Sequence, residues 1–116
     1  MPGRFPATTL RALLGGRRRP EAAPTKLTCY GKPDCSLCDK AKEPLTRALR
    51  HYGGRVTAEW VSILDDPTLV ARWGERIPVI CAGETVLAEG RVSELRLRRA
   101  LDAFLQSGGL DSAADA

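Results

Sequence analysis

Two cysteines with two residues between them, Cys35-Ser36-Leu37-Cys38, are the residues of this chain best able to do chemistry. They follow a short apolar run, Leu27-Thr28-Cys29-Tyr30, and they open a helical pattern that continues to about Tyr52. A thiol at the first turn of a helix lies beside unpaired backbone N–H groups, whose partial positive charge stabilises a thiolate. A second thiol one turn on can close a disulfide with it. The same pair could be half of a zinc site, but a closed site takes four ligands, and the chain has no second Cys-x-x-Cys and no His pair.

The helix that must carry the pair separates the roles of the two sulfurs. Leu37, Ala41, Leu45, Ala48, Leu49 and Tyr52 form an apolar stripe at helical period. At about 100° per residue, Cys38 lies roughly 50° from the centre of that stripe and Cys35 roughly 110° away. Cys35 is therefore expected to face solvent and attack, and Cys38 to lie at the core edge and resolve. Asp34 is the expected N-cap. Pro44 falls inside the helix, and Gly53-Gly54 ends it.

The remaining elements follow from punctuation and period. Residues 55–63 read as a second strand. Its apolar parity switches at Trp60, which predicts a bulge or a strand buried on both faces. Asp65-Asp66-Pro67 starts a helix with Leu69, Val70 and Trp73 on its apolar face and Gly74 at its end. Residues 76–82 form a strand entered through Pro78. Gly83-Glu84 is a tight turn, and residues 85–87 a short return strand. Ser93 caps a last helix whose core face is Leu97, Leu101, Phe104 and Leu105, and Gly108 stops it. The expected fold is α/β, a mixed four-stranded sheet in the order β-α-β-α-β-β-α with helices on both faces. The first two strands are parallel by a right-handed crossover, and the last two form an antiparallel hairpin.

Composition bounds the rest. A chain of 116 residues is one domain. Four cysteines without a secretory signal argue against an extracellular disulfide framework and for a reducing compartment, taken as the cytoplasm. No apolar run approaches a membrane span. The formal charge of +4 is concentrated in residues 1–24, where five arginines stand against Glu21. A basic stripe on the folded part, which nucleic-acid binding would want, is therefore not expected. The expected boundaries are a disordered basic tail at 1–24, a folded domain at 25–108 and a small acidic tail at 109–116. If residues 1–24 are instead a transit peptide, the compartment is mitochondrial.

The order of elements, with Tyr30-Gly31-Lys32-Pro33-Asp34-Cys35-Ser36-Leu37-Cys38-Asp39-Lys40-Ala41, then Asp65-Asp66-Pro67, then Arg76-Ile77-Pro78-Val79, resembles the small glutaredoxin-like proteins of the thioredoxin superfamily over roughly residues 26–107. The resemblance implies a cis bond before Pro78. It implies a glutathione-carboxylate contact for Lys32, and backbone groups at Ile77 that pair with a substrate as an added strand. It implies a monomeric thiol–disulfide oxidoreductase with Cys35 and Cys38 catalytic and no tightly bound cofactor. Its partners would be disulfide-containing proteins or mixed disulfides, and its electrons would come from glutathione, another low-molecular-weight thiol or a reductase. Where glutaredoxins carry a Gly-Gly turn and an Asp for glutathione, this chain has Glu89-Gly90-Arg91-Val92-Ser93. Two other classes stay open. One is a module holding a [2Fe–2S] cluster between two Cys35 thiolates and added thiols. The other is a non-catalytic interaction domain on the same fold. Cys29 and Cys81, on strands expected to be neighbours, read as small buried hydrophobes rather than a second redox pair. His51 and the run Arg96, Arg98, Arg99 read as surface.

Overall fold

The computed structural model describes residues 24–108. Strands β1 (Thr25–Gly31), β2 (Val56–Ser62), β3 (Val79–Ala82) and β4 (Thr85–Glu89) alternate with helices α1 (Ser36–Tyr52), α2 (Pro67–Trp73) and α3 (Glu94–Gln106) in the expected order. The sheet runs β2-β1-β3-β4, with β1 parallel to β2 and antiparallel to β3, and β3 antiparallel to β4. The expectations for the two terminal tails fall on residues outside those described, apart from Pro24.

Period 2 along the strands divides the interior in two. Leu27 and Cys29 of β1 and Ile80 and Ala82 of β3 face one core, closed by Leu45, Ala48 and Tyr52 of α1 and Leu97 and Leu101 of α3. Val79 and Cys81 face a second core with Ile63, Trp73, Ile77 and Cys38. Helices therefore cover both faces, as expected. The buried stripe of α1 is Cys38, Ala41, Leu45, Ala48 and Tyr52. It is turned slightly from the expected one, so that Cys38 is buried and Leu37 only half-buried. At the far end of α1 the Tyr52 hydroxyl lies 2.6 Å from Asp102 Oδ1 and 3.0 Å from the Arg98 carbonyl, tying α1 to α3.

The expected irregularity of β2 is absent. β1 and β2 pair without a break from Thr25↔Val56 to Gly31↔Ser62. Nor is β2 buried on both faces: it is an edge strand, and Trp60 is 36% exposed. The parity switch arises because Ile63, just past the strand, drops into the second core. The bulge lies instead on β4, where Ile80 pairs with Ala88 and Cys81 with Val86. The extra residue, Leu87, lets Leu87 and Ala88 both face the first core while Val86 faces the second.

Helix starts follow their caps. Asp66 accepts the N–H of Thr68 at 2.9 Å and opens α2, while Ser93 accepts that of Arg96 at 3.0 Å and opens α3. Gly53, with φ of 62°, ends α1 in the left-handed region that favours glycine. On α3, Leu101 is fully buried and Leu95 is 56% exposed. Leu101→Ala should cost roughly 2–5 kcal/mol of unfolding free energy, whereas Leu95→Ala should stay within roughly 0.5 kcal/mol. Urea denaturation of both variants checks the assignment of the face.

Candidate active site

The Cys35-x-x-Cys38 pair sits at the junction of β1 and α1, and its first cysteine caps its own helix. Cys35 has extended backbone, φ −117° and ψ 109°, and its Sγ accepts the N–H of Cys38 at 3.2 Å. Its carbonyl accepts the N–H of Asp39 at 3.0 Å, which begins the helical ladder. The expected cap, Asp34, does not cap. It takes φ of 59° in the turn before the helix, and the extended residue that follows it occupies the capping position. The helix start thus directs an N–H at sulfur rather than at a carboxylate.

The two sulfurs differ as helical geometry requires. Cys35 is half-buried and Cys38 is 3% exposed. Burial pushes the Cys38 thiol up to about 11, and its hydrogen bond with Cys35 adds to the rise, while the N–H of Lys32 at the sulfur opposes it. At neutral pH Cys38 is a protonated thiol. Gly31 makes room for this sulfur: a Cβ there would stand 3.1 Å from Cys38 Sγ and 3.1 Å from the Trp60 ring.

The Ile77–Pro78 bond is cis, and Pro78 is fully buried. Ile77, Cys35 and Cys38 meet in the second core. One of the two backbone groups of Ile77 is engaged within the fold. Its N–H already donates to the Trp73 carbonyl at 3.1 Å, an acceptor it shares with the N–H of Arg76 at 2.7 Å. The chain folds back directly after α2, so that donor is not free for a substrate strand. Lys32 is exposed at the edge of the site. Together with Gly31, Cys38, Lys42 and Trp60 it lines a groove of about 300 Å³. The Lys42 ammonium lies 5.8 Å from the centroid of the Trp60 ring.

An aromatic and ionic platform braces the second core. Tyr30 and Trp73 stack with centroids 5.5 Å apart, and the guanidinium groups of Arg72 and Arg76 lie 4.6 and 4.8 Å from the Trp73 ring. Arg76 also grips Glu89 through two contacts, Nε–Oε1 at 2.6 Å and Nη2–Oε2 at 3.2 Å, and the hydrogen bond holds the Glu89 carboxyl below its ordinary range. The N–H of Gly90 donates to the Pro78 carbonyl at 2.9 Å. These contacts pin the loop after β4 to the start of β3. The Arg76–Glu89 pair was not anticipated. Its signal was the hairpin register, which sets Val79 opposite Glu89.

The other cysteines are kept apart. Thr28 pairs with Cys81, and Cys29 with Ile80, so Cys29 and Cys81 point to opposite faces of the sheet and into different cores. His51 meets the edge of the Tyr52 ring and an Arg98 nitrogen at 3.3 Å. Among the described residues no group of three or more His, Cys, Asp or Glu could hold a metal ion. No helix among them is long and apolar enough to cross a membrane.

Comparison with known proteins agrees with this architecture. The family model described as "Glutaredoxin-like domain (DUF836)" matches residues 26–102. The structural genomics target protein XcR50 from X. campestris has a crystal structure to which this chain is 36% identical, covering 66% of this chain and 96% of that one with a TM-score of 0.55. Its solution structure gives the same identity and TM-score and is covered to 92%. Thioredoxin-2, a component of malaria parasite protein secretion machinery, is similar in fold only, at 18% identity over 67% of this chain and 81% of that one with a TM-score of 0.53. No curated protein gives a significant match. The chain belongs to the glutaredoxin-like domain family, on the thioredoxin-like fold.

The buried thiols make stability fall in alkali. Burial pushes Cys29 up to about 12, and Cys38 rises to about 11. A thiol whose folded value exceeds its unfolded value of about 8.5 stabilises the fold fully below that unfolded value. The contribution is lost as pH climbs towards the folded value. The urea midpoint of the reduced protein should therefore drop between about pH 8 and about pH 10.5, and Cys29→Ala should make that drop shallower. Parallel curves for the two proteins would contradict the assignment.

Proposed function

We propose that this domain is a thiol–disulfide oxidoreductase that reduces protein disulfides or small-thiol mixed disulfides. The observation that carries the reading is the pairing of a half-buried sulfur at a helix cap, Cys35, with a buried, protonated one directly beneath it, Cys38. The Cys35 thiolate attacks one sulfur of the substrate disulfide. The bond between the substrate sulfurs breaks, a mixed disulfide forms, and the leaving sulfur departs as a thiolate that takes up a proton. Cys38 then gives up its proton and attacks Cys35 Sγ, and the second substrate sulfur leaves. The substrate has gained two electrons, and the domain holds a Cys35–Cys38 disulfide.

Burial of Cys38 keeps it from competing for substrate in the first step and holds it within reach for the second. Two equivalents of a low-molecular-weight thiol such as glutathione, or a reductase, return the domain to the dithiol. It would work in a reducing compartment such as the cytoplasm. The Lys32 and Pro78 region lines the approach to Cys35 in this reading, and the carbonyl of Ile77 is left as the main-chain acceptor for substrate.

Insulin-disulfide turnover with glutathione and with a thioredoxin-reductase system in parallel tests the reading. Cys35→Ser should reduce turnover to background with both reductants. Cys38→Ser should also lose dithiol turnover yet accumulate a mixed disulfide at Cys35, visible by mass spectrometry. If Cys38→Ser prevents any adduct while Cys35→Ser forms one, the two roles are reversed.

A further inference from the structure

A second cleft, of about 320 Å³, opens between the first turns of α1 and the β4–α3 loop, lined by Leu37, Lys40, Arg91, Val92, Ser93 and Arg96. Leu37 is one of the two residues between the cysteines of the pair and directly precedes Cys38, so the cleft adjoins the site. Its cations come from three places: Lys40 from α1, Arg91 from the loop and Arg96 from α3. The carboxylates nearby are engaged elsewhere. Asp39 pairs with Lys42 at 3.5 Å, Glu89 with Arg76 at 2.6 Å and Glu94 with Arg98 at 3.5 Å. Among the described residues no carboxylate forms an ion pair with Lys40, Arg91 or Arg96. All three are exposed, while Leu37 and Val92 are half-buried and floor the cleft with apolar surface.

We propose that this cleft docks an acidic segment of the protein whose disulfide is reduced, so that the substrate class is proteins with carboxylates flanking the cysteine. The proposal rests on the oxidoreductase reading for its position and adds a specificity to it. Three unneutralised cations around an apolar floor complement an acidic polypeptide, whose side chains offer both charge and methylene surface. A small anion would use the charge and leave the floor uncovered. Complementary charge of this kind raises the encounter rate and selects partners, and it weakens as salt screens it. Placing the charges beside Leu37 aligns the selected segment with Cys35 without occupying the sulfur.

Fluorescence anisotropy of three labelled peptides on the full chain tests this directly. The peptides share one sequence with serine in place of cysteine and differ only in flanking glutamates, glutamines or lysines. The glutamate peptide should bind about tenfold tighter than the glutamine one, as two or three exposed ion pairs would give, and the preference should fade at high salt. Arg91→Glu combined with Arg96→Glu should invert the order in favour of lysine, and Lys40→Glu alone should shift it the same way. Equal affinities in the wild type, or a glutamate preference that survives the double reversal, would overturn the docking site. So would inorganic phosphate at equal ionic strength displacing the glutamate peptide as well as its unlabelled copy does. Disulfide-bearing versions of the peptides separate the two readings. Binding preference without reduction of any peptide would sink the oxidoreductase reading alone. Equal reduction of all three without a binding preference would sink the docking site alone.

Discussion

The hydrogen bond from the Cys38 N–H to Cys35 Sγ, 3.2 Å long, joins the start of a helix to the chemistry of the site. A helix leaves its first N–H groups without partners, and one of them must go to a cap. Here the cap is a thiol. The backbone conformation that makes Cys35 a cap also lifts its sulfur out of the helix towards solvent, and the helical turn that follows carries Cys38 under it. Capping, exposure of one sulfur and burial of the other are therefore one geometric fact. Asp34 cedes the capping position because the chain must reverse between β1 and α1, and it makes that reversal with Asp34 at φ of 59°.

Everything beneath the pair serves to hold that junction still. β1 pairs on both sides, with β2 and with β3, and is covered on both faces. Its last residue, Gly31, has no side chain, which admits both Cys38 Sγ and the Trp60 ring. In the second core Trp73 stacks on Tyr30 and lies under two guanidinium groups, and Arg76 reaches from beside that ring to Glu89. The cis-proline segment is thus held from α2 and from the β4–α3 loop together.

Charge around the site is divided rather than uniform. Acidic residues that would neutralise the approach are paired with other cations, Asp39 with Lys42 and Glu89 with Arg76. The loop that follows β4 carries Arg91 where the glutaredoxin pattern expects small and acidic residues for glutathione. The same backbone path therefore presents a positive cleft in this chain. Variation in a loop on a rigid scaffold changes what a site selects without changing the chemistry at its centre.

The sequence by itself determined the order of elements, the parallel and antiparallel pairings, the caps at Asp66 and Ser93, and the different exposures of Cys35 and Cys38. Each of these follows from local rules: period, punctuation and helical angle act within a few residues. Contacts between distant segments decided the rest. The pairing of Ile80 with Ala88 but Cys81 with Val86 places the bulge on β4, and parity within one strand could not show it. The parity switch near Trp60 came from Ile63 packing beyond the strand end, so a local reading mistook it for a property of β2. Strand register sent Cys29 and Cys81 to opposite faces, which no count of cysteines reveals. The donor of Ile77 was lost to a carbonyl that the fold brings back from α2. The cationic cleft exists because α1, the β4–α3 loop and α3 converge there, joining residues up to 59 positions apart in the case of Leu37 and Arg96. Side chains brought together by the sheet and its crossovers carry no local signal, because the free energy that joins them belongs to the packed whole.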